Sequence, residues 1–432
     1  MEARQNATTA VREQPAPVRS SSFSSLKHRD FRLLWGGQFI SMIGSQMQLV
    51  AINWHVYLLT HSPLALGLVG LVRVIPIILC SLIGGVVADA SDRKRLILAT
   101  QGVMLTSAAI LTAVSASGLQ TVWPIYVLTA FSSAATAFEN PARQALLPSL
   151  VPVENFPNAV SLSLTSFNVA TICGPAAAGL ILSRFGPAPV YFCNAISFIA
   201  VILAVLMMQT SGRVAAKGSE MATRVNLDAL KEGLRFVWRT PIIVQTMALD
   251  FAATFFASAT ALLPIFAAEI LHVSARGYGI LFSAQAVGSV LAALVMARRG
   301  STSRQGKIVV ASVAVYGLAT IGFGLSRNFW LSLAMLSVVG AADTVSTVLR
   351  QTIRQLVTPD SLRGRMTSVN MMFFMGGPQL GEFEAGALAR YVGAPISVLA
   401  GGIGCLFAVV IAILKASNLM SYDGFHSPDN TK

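Results

Sequence analysis

The stretch Gly84-Gly85-Val86-Val87-Ala88-Asp89-Ala90-Ser91-Asp92-Arg93-Lys94-Arg95-Leu96 decides how the chain is read. An apolar run that begins near Leu64 ends in it, and another begins just after it. Between them stand two carboxylates and three consecutive cations. About 20 mostly apolar residues of helix cross a bilayer, so the stretch reads as a tight charged hairpin between two membrane-length helices. Gly84 and Gly85 admit a neighbouring backbone. Asp89 is placed to pair with a cation or with the N-terminal end of a facing helix. Taken alone, the same residues describe any short positive loop of a polytopic protein. The remainder of the chain separates the two readings.

Charged residues make up 11% of the 432 residues, against about 25% in soluble domains. Hydrophobic residues make up 54%, and the mean hydropathy is +0.67. This composition predicts an all-α membrane protein in contact with the lipid bilayer. The net charge of +13 lies in alternate loops, with no basic helix interleaved with aromatics, so nucleic acid is not an expected partner. Cys80, Cys173, Cys193 and Cys405 are far apart in apolar runs. They fit neither a disulfide framework nor a zinc spacing, and no metal or cofactor is expected.

Twelve candidate spans follow, at roughly 33–59, 64–88, 96–116, 121–141, 156–183, 187–209, 242–270, 277–297, 307–325, 329–349, 366–389 and 394–415. Most of the 31 Lys and Arg fall on one side of them, which places both termini in the cytoplasm. Residues 1–30 read as a Ser- and Pro-rich cytoplasmic tail without a signal peptide, and 416–432 as a second tail. Between bundles at 31–209 and 241–415 lies a loop at 210–240, where Leu227, Leu230, Leu234 and Val237 predict a surface amphipathic helix.

The two bundles read as copies. At a constant shift, Arg143-Gln144 matches Arg350-Gln351, Pro152 matches Pro359, Ser161 matches Ser368, Gly174 matches Gly381 and Gly179 matches Gly386. The loop Arg298–Lys307 stands where the opening hairpin stands in the first copy. Tandem halves of this kind mark transporters that rock one bundle against the other.

With these features the chain resembles the major facilitator superfamily over about residues 28–415. The opening stretch is similar to the family's signature between spans two and three, with Gly85, Asp89, Arg93 and Lys94 in signature places. Ala90 and Asp92 depart from it. The acidic residue at 92 resembles the enterobactin-exporter-like and drug-exporter branch, as do Asp30–Trp35, Gly44–Gln48 and Thr60–Pro63. Gly174-Pro175-Ala176-Ala177-Ala178-Gly179 resembles the family's antiporter signature. The resemblance implies twelve helices in two pseudo-symmetric halves. It also implies a monomer in a bacterial inner membrane that exports small amphiphilic molecules, by proton antiport.

A charge in mid-bilayer costs at least about 2.5–3.5 kcal/mol on insertion scales, so the few such residues are candidates for mechanism. Asp250, Glu382, Asp343 and Glu384 are candidate proton carriers. Arg73, His55, Gln46, Asn53, Asn168, Gln285 and Asn370, with Gln48 and Gln379, are candidates for a substrate cavity, although polar residues in such helices more often join helices together. Gly85, Asp89, Asp92, Arg93, Lys94, Arg143 and Arg350 form a candidate cytoplasmic latch, and Gly174, Pro175 and Gly179 a packing motif.

No Walker-type phosphate loop occurs, which argues against ATP coupling. An importer or facilitator of the same fold is the alternative. A membrane enzyme or sensor lacks both a His/Asp/Glu/Cys cluster and an output domain. If the hairpin is a latch, Asp89→Asn will change the transport rate and the accessibility of the cytoplasmic side to thiol labels. Unchanged values for both would remove Asp89 from gating.

Overall fold

The computed structural model describes residues 23–212, 234–258, 260–300, 303–359 and 362–424. At 82–83, 85–86, 89–90, 363–365, 367–369 and 371–375 it describes the backbone alone. Most of the two predicted tails, the predicted amphipathic helix before Leu234, and the side chains at 85 and 89 lie outside the described residues.

Long helices follow one another in chain order: α1 (Arg29–Thr60), α2 (Pro63–Ala90), α3 (Arg93–Ala116), α4 (Trp123–Leu146), α5 (Phe156–Phe185) and α6 (Ala188–Met207). Then come α7 (Pro241–Phe256), α8 (Ala275–Arg299), α9 (Gln305–Leu325), α10 (Phe329–Val357), α11 (Arg363–Val392) and α12 (Ala394–Lys415). Among the described residues there is no strand. The starts are local chemistry. Ser62 accepts a hydrogen bond from Ala65 N ahead of Pro63, Asp92 accepts from the N–H groups of Lys94 and Arg95, and Asn328 from those of Trp330 and Leu331. Each satisfies donors that a helix N-terminus leaves open.

Among the described residues nine segments are long and apolar enough to cross a membrane. Large apolar side chains such as Leu79, Phe131, Leu203, Leu318 and Phe407 are exposed along them, which suits lipid rather than water. Helices α1 and α4 are not among the nine. They carry Gln38, Gln48 and Asn53, and Glu139 and Arg143, so their polarity lowers the hydropathy where these residues stand.

The packing repeats. Helix α1 packs on α5 and α6, α2 on α4, and α3 on α4 and α6. Adding six to each label gives α7 on α11 and α12, α8 on α10, and α9 on α10 and α12, which are also in contact. The two sets meet along α2–α11 and α5–α8. One departure breaks the pattern. Helix α7 ends at Phe256, and the chain continues through a 3-10 turn (Thr260–Leu262) into a π turn (Phe266–Ile270).

The two ends of the bundle differ. Asp30 near the start of α1 accepts hydrogen bonds from Gln209 and Thr210 after α6. Burial works to raise the Asp30 pKa, and these donors outweigh it and hold it below the ordinary value. Gln245 in α7 accepts from Leu419 N after α12. The start of α1 and the turn after α12 thus lie at one face, called the termini face. At the opposite, distal face a single apolar core draws on both sets, with Val50, Leu66 and Tyr126 beside Phe266, Tyr278 and Phe323. At the termini face the core divides among the described residues. Phe31, Ile97 and Leu146 belong to a cluster of the first set, and Val309, Leu349 and Ile353 to one of the second.

The distal contact is backbone on backbone. A Cβ added at Gly386 would lie 2.7 Å from Gly67 Cα, and one added at Gly279 would lie 2.8 Å from Gly179 Cα. Tyr57 donates to Glu269 across the same seam at 3.0 Å, and Tyr278 donates to the Val50 carbonyl. Gly279→Leu is therefore expected to force α5 from α8 and to lower stability by about 1–3 kcal/mol, read as a loss in thermal unfolding in detergent. The same substitution at Gly102, where an added Cβ meets nothing within 4 Å, serves as the control.

Candidate functional site

The buried charges of the second set converge on α10. Asp250 of α7 and Arg350 of α10 form an ion pair at 2.7 Å, both almost fully buried. Arg350 also donates to the Thr347 hydroxyl at 2.9 Å. Asp343 lies two turns before Arg350 on α10. It shares Thr347 as a hydrogen-bond partner and lies in the electrostatic field of Arg350 and Asp250. Arg354, one turn beyond Arg350, is buried at 2% exposure and shares that field. Two acids and two guanidinium groups thus occupy one apolar interior, where a lone charge would be costly.

Asp343 opens onto a polar pocket of about 220 Å³, lined also by Thr254, Gln285, Ser289 and Tyr316. A pocket of that size and polarity has room and partners for water. The break after Phe256 borders it, since Ser258 also lines it and donates to the Pro378 carbonyl of α11.

Glu382 of α11 stands in the other inter-set seam. Its carboxylate would lie 3.2 Å from a Cβ placed on Gly70 of α2, and it shares an electrostatic field with Arg73, three residues further along α2. Tyr278 lies in the field of Glu382 and makes a side-chain hydrogen bond with Asn53. Arg73, Glu382, Tyr278 and Asn53 therefore link four helices across the seam. Glu384 is half-buried on α11, two residues from Glu382 and so on another side of the helix. Gln379 keeps a buried side-chain oxygen without a hydrogen-bond partner among the described residues.

The remaining cavity candidates lie apart from these acids. His55 Nδ1 lies 3.2 Å from the Tyr191 hydroxyl between α1 and α6. Gln48 accepts from Asn194 at 2.7 Å, and Gln46 lies against Gly174. Asn168 is exposed on α5, and Asn370 is half-buried on α11. Gly174 gives room to α1, while Pro175 and Gly179 face Gly279 of α8.

At the termini face the hairpin cations hold helix ends. Arg93 donates to the Ala145 carbonyl of α4 at 2.8 Å, and Lys94 donates to the Met208 carbonyl after α6 at 2.8 Å. Both complete carbonyls at C-terminal ends, where cations are favoured. Arg143 donates instead to Gln38 (3.0 Å) and Asn140 (3.1 Å). The Gln38 amide reaches Glu139 at 3.1 Å, and Gln101 reaches the same oxygen at 2.9 Å. Arg350, the repeat partner of Arg143, is buried with Asp250 rather than turned to a hairpin.

Sequence reasoning missed Glu139, Gln38, Arg354, Tyr278 and the Tyr57–Glu269 pair. The signal for Glu139 was present. It lies four residues before Arg143, on one face of a helix, in an otherwise apolar run.

Comparison with known proteins bears on this architecture. The family model described as "Transmembrane secretion effector" matches residues 20–429. The enterobactin exporter EntS of Shigella boydii serotype 18 is 25% identical over 395 residues, covering 91% of this chain and 94% of that protein. The staphyloferrin A transporter of Staphylococcus aureus is 27% identical over 349 residues, covering 79% and 85%. In fold, a POT family transporter crystallised with a thioalcohol-conjugated peptide superposes with a TM-score of 0.70 at 10% identity, covering 92% and 99%. A bacterial homologue of the iron transporter ferroportin superposes with a TM-score of 0.67 at 14% identity, covering 91% and 99%. The chain belongs to the transmembrane secretion effector family of the major facilitator superfamily, a family of transporters and not of enzymes.

Proposed function

We propose that this protein is a secondary active exporter of small amphiphilic molecules, of siderophore or drug type, coupled to proton entry. Twelve spans in two six-helix halves sit in a bacterial inner membrane with both termini in the cytoplasm. The observation that carries the reading is the unequal pair of ends. A core common to both halves at the distal face and divided cores at the termini face are what one access state of a rocking transporter requires. With the termini inside, this is the inward-facing state, ready to load from the cytoplasm. The relatives named as exporters and the close-packed Gly174-Pro175–Gly179 turn support the outward direction.

In this reading the four acids proposed for coupling have different parts. Asp250 is committed to Arg350 and acts as the fixed counter-charge. Asp343 has the pocket and the shared guanidinium field, so it is the proton carrier. Protonation of Asp343 leaves Arg350 and Arg354 with one anion fewer, and that local excess of positive charge is a signal the rest of the half can sense. Glu382, opposite Arg73 in the α2–α11 seam, joins the carrier to the opening of that seam. Glu384 is a secondary candidate. Arg93 and Lys94 pin the ends of α4 and α6 and Asp92 caps α3, so that the first half moves as one body, with Gly85 and Asp89 completing the latch.

Two measurements test this division. Asp343→Asn is expected to abolish the pH-gradient dependence of efflux in reconstituted vesicles while leaving a folded protein. Gradient-driven efflux at the wild-type rate would clear Asp343 of the role. Asp250→Asn is expected to leave a buried guanidinium unpaired and to destabilise the chain by about 3–5 kcal/mol. The double change Asp250→Leu with Arg350→Met should recover most of that loss in thermal unfolding.

A further inference from the structure

In the first half, α1, α4 and α5 part at the termini face and leave a cleft of about 510 Å³, within the range of small-ligand sites. One wall is aromatic. Trp35 and Phe39 of α1 stack with ring centroids 5.7 Å apart and planes 9° apart, and Trp35 is fixed by donation to the Leu162 carbonyl of α5. Phe167 of α5, half exposed, lines the same cleft. Behind the shelf, Phe31 and Leu34 belong to the core cluster at this end, against which Trp35 packs, so the core holds the shelf from behind while the cleft opens beside it.

Among the described residues a single charged side chain lines the cleft, that of Arg143. Its two hydrogen bonds go to neutral amides, and a guanidinium has five N–H donors. The neighbouring carboxylate, Glu139, is buried behind Gln38 and already accepts from two amides. It does not line the cleft. Among the described residues the cleft thus presents a cation with donors to spare, a flat aromatic shelf, and no acid in its lining.

We propose that this cleft is the loading site for exported molecules and that it takes a planar aromatic acid. The ring lies on the Trp35–Phe39 shelf, where offset stacking is favourable, and the carboxylate receives the unused Arg143 donors in a charge-assisted pair. The proposal rests on the export reading, because the cleft opens at the face assigned to the cytoplasm. It also commits that reading to a chemistry: the same ring carrying an ammonium group is excluded by Arg143.

The test uses the full chain purified in detergent and equilibrium dialysis with 2-naphthoate, and with 2-naphthylmethylammonium as the charge-reversed partner. The acid is expected to bind saturably and at least about tenfold tighter than the amine. Arg143→Gln should erase that preference. Because this change also frees Gln38, a second variant is needed. Ser163→Trp fills the cleft from α5 without touching Arg143, and it should abolish saturable binding of the acid with thermal unfolding unchanged. Equal binding of acid and amine by the wild type, or acid binding that survives both substitutions, overturns the proposal. Gradient-driven efflux of a neutral amphiphilic dye from vesicles of the same preparation separates the two readings. Dye efflux without binding of the acid overturns the cleft and leaves export standing. Binding of the acid without efflux of any probe overturns its role in loading.

Discussion

A charge between helices in lipid has to be neutralised by another part of the same protein, because no water is present to do it. This chain meets that constraint in three ways, and its architecture follows from them. In the second half Asp250 and Arg350 meet directly at 2.7 Å. In the first half Arg143 and Glu139 are kept apart, with Gln38 bonded to each. Between the halves Glu382 and Arg73 share a field without forming a close pair. A direct pair is rigid and breaks at high cost, a bridged pair keeps donors open, and a loose pair across a seam can be separated when the seam opens. The three arrangements thus suit a fixed core, a binding wall and a moving joint.

The twofold repeat sharpens the contrast. Arg143 and Arg350 occupy equivalent places, and the helix contacts around them are equivalent too. The surroundings have diverged: a neutral amide faces the first guanidinium and a carboxylate faces the second. The break after Phe256 has no counterpart in α1, which runs unbroken from Arg29 to Thr60. It lets Ser258 reach α11 and borders the pocket beside Asp343. Both departures from symmetry lie in the half to which proton coupling is assigned, while the symmetric parts, α2–α11 and α5–α8, form the hinge-like seams.

Much of this was legible in the chain before any coordinates. The apolar runs flanking the hairpin at 84–96, the constant shift between Arg143 and Arg350, and the small residues around Pro175 are local patterns. Local patterns fix helices, repeats and close-packing surfaces. Asp250, Asp343 and Glu382 were visible because an acid in an apolar run is conspicuous. Their partners were not visible, since which cation meets Asp250 is decided by packing between helices far apart in sequence. His55 shows the converse. A titratable group in a span attracts attention, and only packing reveals that the Tyr191 hydroxyl of another helix lies against its ring.

Glu139 was overlooked for a physical reason that bears on the first half as a whole. It lies near the end of an apolar run, where a carboxylate is expected to reach the membrane surface, and nothing local says that it turns inward. It does so because Gln38 and Gln101 each direct an amide at one of its oxygens, and amides from two other helices make burial of the charge tolerable. That choice has a consequence for Arg143. A direct pair with Glu139 would have satisfied both groups and left the cleft between α1, α4 and α5 electrically blank. Placing an amide between them splits the pair. The carboxylate takes its amides in the interior, while the guanidinium is left at the wall of a cleft, beside stacked aromatic rings, with donors that no described residue takes up.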